Sequence, residues 1–383
     1  MCFYTRFNKL RYNPEMNRTG TALLPLHGGK APAWLFSRMT RLSAEIIQAI
    51  VEEFGTREVL QRLSDPYWFQ AFGCVLGFDW HSSGVTTTVC GALKEGLKGR
   101  GKEIGLFVAG GKGRSSRKTP EELEQIGASI GLDTRPQVYA SRMSAKVDNN
   151  AVQDGYQLYH HSFFICADGS WAVIQQGMNG ANRYARRYHW LSEQVDDFVC
   201  EPHAAICGPR ENQVLNLVAR ESEASRKSLA RIACEPADQI LSEVKKLQEL
   251  ALPSRHDVAL QDIHPKRLHK ILLSTYERQP ENFETLLGMA GVGPKTIRAL
   301  TLISELVYGT QASVKDPARF SFAHGGKDGH PYPVNRTVYD RSIEILNKAV
   351  AAARIGQGEK LQALKRLHGF NAAPQIDQTA SST

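Results

Sequence analysis

The sequence predicts an α+β protein, in which a mixed α/β domain at the amino-terminal side is followed by an all-α domain. Three observations support this class. Short β-prone runs lie between residues 105 and 175, apolar residues recur at helical spacing beyond residue 212, and a Gly-Val-Gly turn interrupts a helical stretch near residue 292. We divide the chain into residues 1–210, a helical connector over 211–264, a helical domain over 265–370 and a disordered tail over 371–383.

Length and composition support a globular chain with two or three domains. The 383 residues exceed the size at which one hydrophobic core stops growing, and 42% hydrophobic and 22% charged residues exclude a disordered or fibrous class. The net charge of +8 is compatible with a polyanionic partner. Seven cysteines without a Cys-X-X-Cys pair indicate reduced thiols. Since no run of about 18 apolar residues occurs, we expect a cytoplasmic protein without membrane association.

The amino-terminal domain begins with helices and continues with strands. Apolar spacing predicts helices over residues 32–54 and 56–63, and the aromatic stretch over 67–80 is typical of a core. The β-branched run over 85–89 favours a strand, and the apolar run over 105–109 a buried one. Asp168-Gly169 predicts a hairpin between strands at 156–166 and 171–175.

The carboxy-terminal part has helical periodicity almost throughout. We predict helices over residues 212–252, over 265–308 with one interruption by glycine, and over 339–354 and 358–368. The segment Gly291-Val-Gly-Pro-Lys295 forms the interruption. Its glycines permit a tight reversal with the backbone close to a ligand, and Pro294 suits the first turn of a helix. The free amides at that helix start should therefore face an anion.

This segment resembles the helix-hairpin-helix motif of DNA repair and recombination proteins, with its pattern apolar-X-Gly-apolar-Gly-X-Lys. The resemblance implies binding of DNA, mainly through the phosphate backbone, with little sequence preference and strong salt dependence. An ordinary helical turn with glycine caps is the alternative. The candidate phosphate-binding residues are Gly291, Val292, Gly293, Lys295, Thr296 and Arg298.

The whole chain is also similar to a prokaryotic family catalogued as domain-of-unknown-function family 763. The resemblance is carried by the runs Arg18-Thr-Gly20, Leu24-Pro-Leu-His-Gly-Gly-Lys30, Phe78-Asp-Trp-His-Ser-Ser-Gly84 and Ala323-His-Gly-Gly-Lys-Asp-Gly329. It covers nearly all of residues 16–350. It implies that the chain is one unit and carries no chemistry with it.

The richest polar constellation lies between residues 146 and 189. Phosphodiester hydrolysis needs oxygen ligands for Mg²⁺ or Mn²⁺ and a group that orients water. We therefore take Lys146, Asp148, Asp154 and His161 as candidate catalytic residues, the last three also as metal ligands. Only one of His160 and His161 can face a given cleft on a strand. The alternative is a turn with hydrogen-bonded histidines.

Three further features bear on chemistry. A restriction-type nuclease core requires an acidic residue two positions before a lysine, where this chain has Ile174-Gln-Gln176, so that pattern fails. Asp79 and His81 would point the same way on an extended chain, which keeps a second metal pair open. Residues 110–118 lack the spacing of a Walker loop, so we do not interpret them as a nucleotide-binding loop. They would either bind a nucleic-acid backbone or form a mobile surface loop. The candidate cations here and downstream are Lys112, Arg114, Arg117, Lys118 and Arg187.

The hypothesis from sequence is a metal-dependent deoxyribonuclease of DNA repair or processing, with residues 1–210 as the nuclease domain and 265–370 as the DNA anchor. One alternative is a helix-hairpin-helix glycosylase that uses Lys295 and a carboxylate near Asp316, although Asp316-Pro317 lacks the Thr-His continuation of that family. A non-catalytic DNA-binding scaffold is another. A homo-oligomer or a repair-protein partner stays open in each case.

Overall fold

A five-stranded antiparallel sheet separates the helices of this protein into two layers. The structure is a computed structural model that describes residues 24–26, 30–78, 82–248, 265–318 and 336–371. Helices lie at both ends of the chain and the sheet lies in the middle. The predicted class, a mixed α+β part followed by an all-α region, is confirmed.

The first layer consists of helices that precede the sheet. They are α1 (Ala33–Phe54), α2 (Thr56–Ser64), α3 (Pro66–Leu76), α4 (Gly84–Leu97) and the short α5 (Gly101–Ile104). Asp65 caps α3, because its carboxylate accepts from the backbone amides of Tyr67 and Trp68. Of the aromatic stretch that the sequence assigns to a core, Tyr67, Trp68, Phe69 and Phe72 are buried here, with Trp68 and Phe72 stacked at a centroid distance of 4.9 Å. Residues 79 and 80 lie outside the described residues.

The strand predicted over residues 85–89 is wrong, since these residues lie in α4. Val85, Val89 and Leu93 are buried and recur at the helical spacing of four residues. Tertiary burial of that stripe therefore outweighs the β preference of the branched side chains.

The sheet has the strand order β1-β3-β4-β5-β6, and all pairs are antiparallel. Its strands are β1 (Leu106–Lys112), β3 (Gln157–Cys166), β4 (Trp171–Asn179), β5 (Tyr184–Leu191) and β6 (Ala205–Cys207). A separate pair joins β2 (Val152–Gln153) to β7 (Leu215–Asn216). The predicted buried strand and the hairpin at Asp168-Gly169 are confirmed, and Gly169 has the positive φ of +86° that this turn requires.

Residues 113–151 connect β1 to the small strand pair. They form a 3-10 turn (Gly113–Lys118), α6 (Thr119–Ile130), α7 (Arg135–Lys146) and a π-helical turn (Val147–Ala151). The connection brings α6 and α7 onto the face of the sheet opposite the first layer.

The second layer is completed by α8 (Glu223–Ala233), α9 (Ala237–Gln248), α10 (Pro265–Arg278), α11 (Phe283–Gly288) and α12 (Pro294–Tyr308). The continuous helix predicted from residue 212 is wrong at its start and is broken again between α8 and α9. The stretch over 265–308 likewise has a second interruption, between α10 and α11. Residues 215–216 form β7, and the amide of Asn216 donates to the carbonyl of Ser313 at 2.9 Å. A 3-10 turn (Arg220–Ser222) then precedes α8, so long-range pairing outweighs local helical spacing there.

The last two helices return to the first layer. They are α13 (Arg336–Ala352) and α14 (Gln357–Asn371), as predicted, and Ile345 and Val350 belong to the same apolar cluster as Ile46 of α1. A second apolar cluster joins the opposite sheet face to α8–α12. Apolar contacts thus cross the predicted boundary at residue 210. The predicted tail beyond residue 371 and residues 249–264 of the predicted connector lie outside the described residues.

No helix within the described ranges combines the length and the apolar character that crossing a membrane requires.

Candidate nucleic-acid interface

The turn between α11 and α12 exposes Gly291, leaves Gly293 half-buried and buries the valine between them. Gly291 is exposed with φ at +85°, a conformation that favours glycine, whereas Val292 is 2% exposed within the second-layer cluster. Gly293 is extended (φ −126°, ψ −178°) and precedes α12, and no side chain caps that helix. Pro294 and Lys295 of its first turn are exposed. The amino-terminal end of α12 therefore faces solvent at an open turn.

Side chains from the π-helical turn region hold this turn from its inner side. Lys146 Nζ donates to the carbonyl oxygens of Met289 at 3.0 Å and Val292 at 2.7 Å. Gln153 Nε2 donates to the carbonyl of Pro294 at 2.9 Å. Three carbonyls of the turn are consequently directed toward the body of the protein.

These inward carbonyls set the direction of the amides that follow them. In a trans peptide, the C=O of one residue and the N–H of the next point to opposite sides, and none of the described peptide bonds is cis. The N–H groups of Ala290, Gly293 and Lys295 therefore point away from Lys146 and Gln153. Together with the positive end of the α12 dipole they form a cradle for an anion.

Lys146 thus contacts the turn and not a reacting group. Burial lowers the pKa of its ammonium group, which is nevertheless satisfied by two carbonyl oxygens. Of the other predicted hairpin residues, Thr296 is buried, and Arg298 is half-buried and donates from Nε to Gln153 Oε1 at 2.8 Å. Lys295 is the exposed cation of the turn.

The predicted basic loop is a second exposed feature. Its cations have no ion-pair partner within the part of the chain that the structure describes, and the Lys112 ammonium lies 5.9 Å from the ring centroid of Tyr159. The loop runs from the end of β1 through the 3-10 turn into α6. Its exposed cations are Lys112, Arg114, Arg117 and Lys118.

The loop and the turn lie at the same end of the sheet. Lys112 at the end of β1 pairs with His160 near the start of β3. Asn149 Oδ1 accepts from the amide of Leu158 at 3.4 Å, and Gln153, a few residues on, contacts the turn. Both sets of cations therefore lie toward this end of the sheet.

Asp148 lies in a different environment from the one that a metal ligand needs. Its carboxylate is fully buried and accepts from Gln175 Nε2 at 2.5 Å, Trp190 Nε1 at 3.0 Å and His203 Nε2 at 2.5 Å. Sequence reasoning did not single out His203, because it stands 55 residues from Asp148 and in no recognisable motif. Asp148 therefore organises a hydrogen-bond network.

His161 belongs to the same network. Its Nδ1 lies 2.8 Å from Gln175 Oε1, and its Nε2 lies 2.9 Å from the hydroxyl of Ser141. Burial lowers the pKa of the imidazole. Gln175 thus bridges His161 and Asp148, and a neutral His161 has both ring nitrogens satisfied.

Asp154 forms a separate ion pair. It accepts from Arg186 Nη1 at 2.9 Å, from the hydroxyl of Tyr188 at 2.7 Å and from the amide of Tyr156 at 3.0 Å. Arg186 also binds Asp316 at 2.7 Å, so the carboxylate that the glycosylase alternative requires is held by a buried guanidinium.

The three predicted metal ligands do not converge on one site. The oxygens of Asp148 and Asp154 are each occupied by their own donors, and both nitrogens of His161 are occupied as well. Within the described ranges no group of three or more His, Cys, Asp or Glu side chains is arranged to hold a metal ion. Asp79 and His81, the second predicted pair, lie outside the described residues.

Arg187 lies on the other face of the sheet and is fully buried. Its Nε donates to His189 Nε2 at 2.9 Å, and its guanidinium lies 4.6 Å from the ring centroid of Phe69. Burial lowers its pKa to about 10. It cannot contact a duplex at the surface.

Comparison with known proteins gives one family. A search of the curated proteins and of the solved structures finds no match. The family described as "Protein of unknown function (DUF763)" matches residues 20–334, which is more than half of the 383 residues. The chain therefore belongs to this family.

Proposed function

We propose that this protein binds DNA through its phosphate backbone, at the surface formed by the α11–α12 turn and the basic loop. The observation that supports this most directly is the orientation of the turn. Lys146 and Gln153 draw three carbonyls inward, so the following amides and the exposed Lys295 face solvent together.

The chemistry of this surface suits phosphates and not base edges. Backbone amides and a helix dipole bind phosphate oxygens, and mobile ammonium and guanidinium groups add charge without reading sequence. Each phosphate contact on duplex DNA releases counterions and contributes about −0.9 to the slope of log K against log salt. If all five exposed cations engage, the slope approaches roughly −4.5. These cations are Lys112, Arg114, Arg117, Lys118 and Lys295.

Fluorescence anisotropy with a labelled duplex tests the proposal. Gly293→Ala adds a methyl group to the cradle while the fold tolerates it, because the backbone is extended and the nearest atom would lie 3.9 Å away. Lys295→Ala removes the adjacent charge. We expect each variant to bind about tenfold more weakly, the equivalent of one charge-assisted contact, and Lys295→Ala to have a flatter salt slope.

The matched control is Lys102→Ala. Lys102 is an exposed lysine of α5, which precedes the start of β1. Lys112 lies at the other end of β1, and the strand is about 20 Å long. The Lys102→Ala variant should bind DNA as tightly as the wild type. Unchanged affinity in both Gly293→Ala and Lys295→Ala, in proteins with wild-type circular dichroism, would overturn the proposal.

The same complexes test for chemistry on the bound DNA. The proposed contacts need no metal, so binding should persist in EDTA, and Mg²⁺ or Mn²⁺ should only weaken it as competing counterions. Strand cleavage in either metal that Asp148→Asn abolishes would add hydrolysis to binding. Covalent capture by borohydride that depends on Lys295 would replace the proposal with glycosylase chemistry.

A further inference from the structure

The first turn of α1 carries a tryptophan that the fold leaves in solvent. Trp34 is 61% exposed, more than any other large apolar side chain in the described ranges. The other described tryptophans, Trp68, Trp171 and Trp190, are at most 8% exposed. A ring of this size contributes a large apolar area to a core when it is buried. The exposure of Trp34 therefore sets it apart from the tryptophans that stabilise the fold.

A cation covers one face of this ring. The guanidinium of Arg38, one helical turn further along α1, lies 5.4 Å from the ring centroid of Trp34. Cation–π attraction between the two groups restrains the indole. Within the described residues no second ring or cation lies over Trp34. The other face of the indole is thus open to a flat ligand.

The surroundings of Trp34 are basic. Residues 30–44 contain the cations Lys30, Arg38 and Arg41 and no acidic residue. Arg41 pairs with Glu359, whereas Lys30 and Arg38 are exposed and have no ion-pair partner in the part of the chain that the structure describes. Single-stranded nucleic acid is bound by this combination, in which bases stack on aromatic rings and phosphates meet cations.

The packing of α1 against α4 fixes where Trp34 lies. A Cβ on Gly91 of α4 would lie 3.7 Å from the ring of Phe36, and one on Gly96 would lie 2.5 Å from the carbonyl oxygen of Thr40. Higher residue numbers in α1 thus face higher numbers in α4, so the two helices run in the same direction. Trp34 consequently lies toward the amino-terminal end of α4.

The amino-terminal end of α4 lies near the basic loop. Ser83, directly before α4, accepts through its carbonyl from Gln176 Nε2 at 2.8 Å. The same nitrogen donates to the hydroxyl of Tyr159 at 2.5 Å, and the Lys112 ammonium lies 5.9 Å from the Tyr159 ring centroid. Trp34 therefore lies toward the end of the sheet at which the basic loop begins.

We propose that Trp34 stacks on an unpaired base of a single-stranded DNA extension, with Lys30 and Arg38 close to the phosphates on either side. In a duplex both faces of each base are covered by neighbouring base pairs, so only an unpaired base can offer a face to the indole. The ligand is then a duplex with a single-stranded tail. This substrate class rests on the proposed function, because the duplex part would lie on the surface described above.

The test compares three labelled substrates by fluorescence anisotropy. They are a blunt duplex, the same duplex with a short oligothymidine tail, and the same duplex with an abasic tail of equal length, each tail being placed at the 5′ or the 3′ end. The two tails carry the same phosphates and differ only in their bases. We expect the thymidine tail to bind about tenfold more tightly than the abasic tail at one of the two ends, as one base–aromatic stack provides.

Two substitutions of Trp34 separate stacking from simple apolar contact. Trp34→Leu keeps an apolar side chain without a π face and should lose the preference for the thymidine tail. Trp34→Phe keeps a smaller ring and should retain part of that preference. Thymidine tails should also quench the tryptophan fluorescence of the wild type, and this quenching should be absent in Trp34→Phe because its signal requires the indole.

Tyr308→Leu is the matched control. Tyr308 is also an exposed ring covered by an arginine, since the guanidinium of Arg231 lies 4.7 Å from its centroid. It stands at the carboxyl end of α12, about 20 Å along the helix from the α11–α12 turn. Tyr308→Leu should keep the wild-type preference.

The blunt duplex tests the proposed function separately. Trp34→Leu should bind the blunt duplex like the wild type, whereas Gly293→Ala should weaken binding of all three substrates and leave the ratio between the tails unchanged. Equal affinity for thymidine and abasic tails at both ends in the wild type, or a preference that persists in Trp34→Leu, would overturn this inference even where duplex binding stands.

Discussion

On the sheet face that packs against α7, the buried carboxylates of Asp148 and Asp154 each accept three hydrogen bonds from protein groups. On the opposite face, His160 keeps a ring nitrogen without a partner among the described residues, and its neighbours are donors. The two faces belong to adjacent residues of the same strand, because His160 and His161 point to opposite sides of β3.

This difference shows where acidic residues in a sequence can mislead. A buried carboxylate with three donors is satisfied, and it fixes the side chains around it. A buried donor without an acceptor carries a free-energy cost that a ligand could remove. The polar groups that the fold leaves unsatisfied are therefore better indicators of a binding site than those with the most charge.

The largest loss of stability should come from a substitution on the sheet face where the buried carboxylates have their hydrogen bonds satisfied. Arg186→Met leaves Asp154 and Asp316 buried without their shared cation, and we expect a loss of about 3–5 kcal/mol in the free energy of unfolding. Denaturant titration measures it. Arg135→Met, which removes an exposed ion pair with Asp133, is the control and should cause no measurable change. A small loss for Arg186→Met would show that this network does not support the fold.

A smaller effect should come from pH and His160. Its folded pKa lies near 3 and its unfolded pKa near 6.5, so the unfolded state binds the proton first as pH falls. This contribution to stability is fully present above pH 6.5 and decreases below it, by about 2 kcal/mol at pH 5. His160→Gln should flatten the pH dependence of unfolding between pH 7 and 5 by that amount. Identical slopes in the two proteins would contradict a buried, neutral His160.

The smallest effects should come from the serines that contact the two histidines. Ser141→Ala and Ser162→Ala each remove one hydrogen bond to an imidazole and should cost about 1 kcal/mol in unfolding free energy. Denaturant titration measures both losses. Unchanged stability in either variant would contradict the corresponding hydrogen bond.

Local signals in the sequence were sufficient for much of the secondary structure. Asp168-Gly169 determines a hairpin because its geometry involves neighbouring residues only, and the helices α1, α2, α13 and α14 follow from apolar spacing. The run at residues 85–89 shows the limit, since its composition favours a strand while its burial pattern is helical.

The arrangement of the candidate site could not be predicted in the same way. Lys146 contacts Met289 and Val292 across 143 and 146 residues, and no local pattern encodes such a pair. Sequence reasoning placed Lys146 beside the acidic residues because it stands next to them in the chain. The turn residues themselves carry a short motif, so Gly291, Gly293 and Lys295 could be named in advance.

The return of α13 and α14 to α1 and α3 has a consequence for how this protein can be divided. Arg366 of α14 donates to the carbonyl of Val75 in α3, and Glu359 of α14 pairs with Arg41 of α1 at 2.5 Å. Polar contacts thus join the last described helix to the first layer. Residues 265–318 meanwhile bury their apolar side in the cluster that covers the other sheet face. A fragment ending at residue 210 would expose to water the apolar surfaces that α13, α14 and residues 265–318 cover. A graft of the α11–α12 turn onto another protein would expose the apolar side of its two helices. The orientation of the α11–α12 turn therefore depends on residues far away in the chain, since Lys146 and Gln153 hold its carbonyls.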